Sequence, residues 1–126
     1  MNKYIADTMA VILHLEQRKM PIKTRQKFRS AEMGDAEIMI PAMVFAEIGY
    51  LSEKGKIDIS LPEVEKYLYE FSGISELPMT LATIIAIFRI FDIPELHDRI
   101  IAAHAVVNNV PIITNDPAIL SSAHVK

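Results

Sequence analysis

Four acids, Asp7, Glu47, Asp98 and Asp116, stand at positions from which one site could be built. Asp7 directly follows the apolar run Tyr4-Ile5-Ala6. Asp116 follows Pro111-Ile112-Ile113-Thr114 after one intervening residue. Asp98 opens a helical segment, where free backbone N–H groups favour a carboxylate. Glu47 lies about two turns into a segment that starts after Pro41. Carboxylates that converge in a low-dielectric cleft repel one another, so either some hold a proton or a cation is bound. The chain has no cysteine, and its histidines lack zinc-site spacing. An oxygen-only donor set selects a hard ion, Mg²⁺ or Mn²⁺. Such an ion activates water and stabilises charge on a phosphoryl oxygen, which is what phosphodiester hydrolysis requires. Each acid also has a plainer reading: Asp7 and Asp98 as helix caps, Asp116 as a turn residue before Pro117, Glu47 on a solvated face.

Other polar residues compete for attention. His97 and His104 bracket Asp98 and share a helix face, which reads as a surface or capping role because zinc wants closer spacing and a third ligand. Asp92 and Glu95 precede that helix and read as bystanders. Between Arg18 and Arg29 lie Arg18, Lys19, Lys23, Arg25, Lys27 and Arg29 with no acid among them. Arg25 and Arg29 share a face, as do Lys23 and Lys27. The run is either a solvated helix face or a contact for phosphate or a protein partner.

The elements that must hold these residues alternate in type. Short apolar strands are expected at Tyr4–Ala6, Glu37–Ile40, Ile74–Leu77 and Pro111–Thr114. Helices are expected over Met9–Gln17, Lys23–Met33, Ala42–Lys54, Glu63–Phe71, Leu81–Phe91 and His97–Asn108. Val64, Tyr67, Leu68 and Phe71 form an amphipathic stripe. Leu81–Phe91 has no polar stripe and is expected to be core, with a dimer contact there or along Tyr67, Leu68 and Phe71 as the other reading. Strands alternating with helices predict an α/β fold: a central parallel sheet flanked by helices on both faces, with its site at the carboxyl ends of the strands. The residues from Ser121 to Lys126 are expected to be loose.

Composition sets the outer limits. The 126 residues amount to one domain, 1–126, and 51% of them are apolar, enough for a core. No segment approaches the roughly 20 apolar residues of a membrane span, and no signal core precedes Asp7, so a cytoplasmic location is expected. A formal net charge of −3 argues against a polyanionic partner only until the four acids are counted as metal-neutralised, when the balance becomes +1.

The segments Tyr-Ile-Ala-Asp-Thr (4–8), Ile-Pro-Ala-Met-Val-Phe-Ala-Glu-Ile (40–48), Leu-His-Asp-Arg-Ile-Ile-Ala-Ala-His-Ala (96–105) and Pro-Ile-Ile-Thr-Asn-Asp (111–116) together resemble, in order, the acidic motifs of PIN-domain nucleases, and especially VapC-type toxins of toxin–antitoxin pairs. The resemblance matches Asp7, Glu47, Asp98 and Asp116 to the family's metal-binding and catalytic acids, and places Thr114 beside them in support. It implies a PIN-like three-layer fold, a Mg²⁺- or Mn²⁺-dependent endoribonuclease, RNA as substrate, a homodimer, and a cognate antitoxin as partner. Met9 departs from the pattern, standing where many members carry a small hydroxyl residue. Two other readings suit the same sheet: a non-catalytic PIN-like binding module, and another metal-dependent phosphoryl-transfer enzyme such as a phosphatase or receiver. The latter would want paired Asp residues after the first strand and a late Lys, and neither is present.

Overall fold

The computed structural model describes residues 1–125. Its strands are β1 (Asn2–Ala6), β2 (Ala36–Pro41), β3 (Ile74–Leu77) and β4 (Ile112–Ile113). The helices are α1 (Thr8–Leu15), α2 (Ile22–Glu32), α3 (Ala42–Glu53), α4 (Leu61–Glu70), α5 (Leu81–Ile87), α6 (Leu96–Asn108) and α7 (Pro117–Leu120). All strand pairs are parallel and the sheet order is β3-β2-β1-β4. The chain therefore steps outward from β1 to β3, then returns past β1 to lay down β4. Parallel crossovers are right-handed, so this reversal moves the later helices to the opposite face. Accordingly α1 packs with α3, and α2 and α3 lie on β2, while α6 packs on β1 and β4 with α5 against it.

The strands are short and branched at Cβ because they are covered on both sides. Ile38, Ile40, Ile74 and Ile113 are buried with Val11, Ile12, Phe28, Val44, Ile48 and Val64 packed around them, while Ile5 is buried against Ala105 and Val110. Gly73 leads into β3 where the backbone closes up. A Cβ there would stand 2.1 Å from the Ala31 carbonyl oxygen and 2.9 Å from that of Ala36.

Three expectations fail. The apolar segment Leu81–Phe91 is not core. Its helix ends at Ile87, and only Thr83, Ile87 and Ile90 turn inward. Leu81, Ile84, Ile85 and Phe88, at i, i+3, i+4 and i+7, face solvent as one apolar stripe, Leu81 at 71% and Phe88 at 72% exposure. Absence of a polar stripe does not distinguish burial on all sides from an unpartnered apolar side. The C-terminal segment is also not loose within the described residues. Asp92 accepts from Ser122 Oγ and the Ala123 N–H, both at 2.8 Å, and His124 packs edge-on against Phe91. Lys126 lies outside the described residues. Finally, His104 is fully buried and neither capping nor exposed, and both its ring nitrogens lack a hydrogen-bond partner. Desolvation holds its pKa below the usual value, so it is a neutral ring.

Candidate active site

The sheet reverses its order between β1 and β4, and there the carboxyl ends of two neighbouring strands open a crevice. Register carries Asp7 and Thr114 into it together. Ala6 pairs with Ile113, and the Asp7 N–H donates to the Ile113 carbonyl at 3.1 Å, so the next residues on both strands come level. Asp7 is also the N-cap of α1, its Oδ1 accepting from the Ala10 N–H at 2.9 Å. The capping role and the site role are compatible because the cap engages one carboxylate oxygen.

Asp116 repeats the device. It caps the short α7, which the sequence reading missed, with Oδ1 accepting from the Ala118 N–H at 2.9 Å and Pro117 in the first turn. Thr114 Oγ1 accepts from the Asp116 N–H at 3.0 Å, tying the two positions. Asp98 is not the cap of α6. That role falls to Glu95, which accepts from the His97 and Asp98 N–H groups at 3.3 and 3.1 Å and from His97 Nδ1 at 3.0 Å. Asp98, in the first turn, is left free to face the crevice. Glu47 reaches it from α3.

Asp7, Glu47, Asp98 and Asp116 thus line one cleft of about 480 Å³, together with Met9, Glu95 and His97. The electrostatics are those of crowded acids. Burial raises the Asp7 pKa, with Asp116 adding to the rise, while the Thr114 hydroxyl and the Ala10 N–H oppose it. Burial, then the charges of Asp116 and Glu95, push Asp98 up to about 6. Glu95, read from the sequence as a bystander, is therefore a fifth acid of the cleft. Its spacing of three from Asp98, one helical turn, was the signal that could have placed it there. Asp92 does not line the cleft and instead holds the C-terminal segment through Ser122 and Ala123.

Among the described residues no three His, Asp or Glu side chains already close around a common point as a ready-made cage. The four proposed donors are all oxygen, and burial first, with neighbouring carboxylates adding to it, disfavours the charged forms of Asp7 and Asp98, a cost that a bound cation would offset. The residues therefore fit Mg²⁺ or Mn²⁺.

The PIN-domain family model matches residues 4–124. The chain belongs to the PIN-domain family. PIN domains are nuclease domains, and the motifs quoted above fall within the matched span. Three solved structures share the PIN fold seen here. VapBC2 from Rickettsia felis, bound to a DNA fragment from its promoter, superposes with a TM-score of 0.75 at 17% identity, covering 98% of this chain and 95% of that one. DNA-bound VapBC from Salmonella typhimurium gives 0.71 at 17%, over 100% and 96%. A toxin–antitoxin complex from Klebsiella pneumoniae gives 0.67 at 14%, over 98% and 95%. No curated protein sequence matches this PIN domain. No helix among the described residues is long and apolar enough to cross a membrane.

Proposed function

We propose that this PIN domain is a Mg²⁺- or Mn²⁺-dependent endoribonuclease acting as a VapC-type toxin, restrained by a cognate antitoxin. The observation that carries the reading is the convergence of Asp7, Glu47, Asp98 and Asp116 on one cleft at the switch in strand order. Likeness to VapBC and toxin–antitoxin complexes supports the toxin part. Asp7, Asp98 and Asp116 would hold the cation with Glu47 beside them. A bound ion would supply Lewis-acid stabilisation of charge at a phosphoryl oxygen and help activate water for hydrolysis. The chain's own part is to keep the acids in place. The caps of α1 and α7 hold Asp7 and Asp116, Glu95 anchors the start of α6 beneath Asp98, and Thr114 bridges the two strand ends.

A homodimer fits the exposed stripe Leu81, Ile84, Ile85 and Phe88, which is an apolar surface of the kind that marks an interface. An antitoxin would compete for the acids most directly with a basic side chain reaching Asp7 or Asp98.

Induced expression in bacteria tests the whole reading. Wild type should arrest growth with RNA cleavage in the cells, Asp98→Asn should do neither, and co-expression of a cognate antitoxin should restore growth. Equal arrest by wild type and Asp98→Asn would remove the toxin reading.

A further inference from the structure

A second polar pocket, of about 580 Å³, opens at the far end of α1 from Asp7. Asp7 and His14 are seven residues apart, two turns and about 10 Å along the helix axis. Four cations line the pocket, Arg18, Lys19, Arg25 and Arg29, against one acid, Glu32. That acid is already engaged: one oxygen, Oε2, accepts from both His14 Nε2, at 2.6 Å, and the Tyr67 hydroxyl, at 2.5 Å. Burial holds the His14 pKa low, so the ring is a neutral donor to Glu32 and not a counter-charge. Its other nitrogen, Nδ1, accepts from Arg25 Nη1 at 3.3 Å, and the second Arg25 amino group donates to the Arg18 carbonyl. His14 in turn stacks on Phe28 with ring centroids 4.4 Å apart. Arg25 is thereby held in place. Arg29, one turn along the same α2 face, is exposed and enters none of the ion pairs among the described residues.

We propose that this pocket binds a backbone phosphate of the RNA strand whose scissile phosphate lies in the acidic cleft. The proposal rests on the nuclease reading above and assigns that substrate its path. The two sites are joined over the surface. A small depression between them touches Asp7, Met9 and Asn115 of the cleft at one side and Met20, shared with the basic pocket, at the other. A nucleic-acid strand is a continuous polyanion and can occupy both ends at once, with a guanidinium fork matching phosphate geometry. A docking peptide helix would ask for an apolar groove, whereas this lining is mostly charged and polar.

The test is the salt dependence of binding of a fluorescent oligoribonucleotide, measured in EDTA so that metal-dependent cleavage does not occur. Losing one phosphate contact lowers the slope of log K against log salt by about 0.7 for a single strand. Arg29→Ala should show that loss with several-fold weaker binding at low salt, and Arg29→Lys should keep the slope. Lys3→Ala, a surface cation outside the pocket that is paired with Glu37 at 3.5 Å, should match wild type. Arg29 is exposed, and an unchanged melting curve confirms that these variants fold. An unchanged slope in Arg29→Ala, or an equal loss in Lys3→Ala, overturns the proposal. So does an Arg29→Ala variant that loses binding of an acidic peptide while keeping that of the oligonucleotide, which would hand the pocket to a protein partner. Cleavage of unmodified RNA by wild type in Mg²⁺ is measured alongside. Its absence sinks the nuclease reading, while an unchanged slope with cleavage intact sinks only the pocket.

Discussion

At the scale of single residues, the cleft is a place where charge is held against its preference. Asp98 has its pKa raised in the folded chain from 3.8 to about 6 by burial and by Asp116 and Glu95. A carboxyl whose folded value lies above its unfolded one takes up a proton on folding. Its ionisation therefore costs stability as pH rises between those two values, and the cost is fully present above the higher one. Metal-free Asp98→Asn should melt above wild type at pH 7, and the gap should shrink as pH falls toward 4, as followed by thermal unfolding in EDTA. A gap independent of pH would mean that Asp98 is not in conflict with its neighbours. In Mg²⁺ the same substitution should cut RNA cleavage by about 100-fold or more, the usual consequence of removing a charge that acts on the transition state. Chelation with EDTA should abolish cleavage in wild type, and activity persisting there would exclude the metal chemistry.

At the scale of elements, helix starts do most of the positioning. Asp7, Glu95 and Asp116 are the N-caps of α1, α6 and α7, and all three line the cleft. The positive ends of these helices are thus turned toward a cluster of acids, which offsets part of its repulsion. The other demanding joint is Gly73, where β3 enters the sheet against the Ala31 and Ala36 carbonyls. Gly73→Ala forces backbone apart and should cost about 1–3 kcal/mol or more, read as a lowered denaturant midpoint. A variant as stable as wild type would show that the α2–β2 turn yields easily.

At the scale of the whole molecule, the two faces of the sheet are not equivalent. The α1–α4 side carries the main core, and the α5–α6 side leaves Leu81, Ile84, Ile85 and Phe88 uncovered as one stripe. Nothing among the described residues covers them, and a second copy would remove that apolar area from water. Sedimentation of wild type should give a dimer, and Leu81→Lys with Phe88→Lys should give a folded monomer, since neither side chain supports the core. A wild-type monomer, or a dimer indifferent to both changes, would place the contact elsewhere.

What the sequence determined by itself was local. Short apolar runs marked every strand, and apolar faces bounded by Pro and Gly breaks marked six of the seven helices, because a strand covered on both sides is apolar throughout and a helix needs residues that end it. Asp7, Asp98 and Asp116 were legible because each sits at the edge of such an element, and alternation of strands and helices was enough to say parallel sheet. The four-residue α7 escaped because it is shorter than any period that would reveal it. The tertiary structure decided the rest. Strand order brought β4 beside β1 and made Asp7 and Asp116 neighbours across 109 residues of chain. The same packing drew Glu95 into the cleft, sealed His104 inside and left the apolar side of α5 outside. Burial depends on which surfaces meet, and a one-dimensional pattern records only that a surface is apolar, not whether anything covers it.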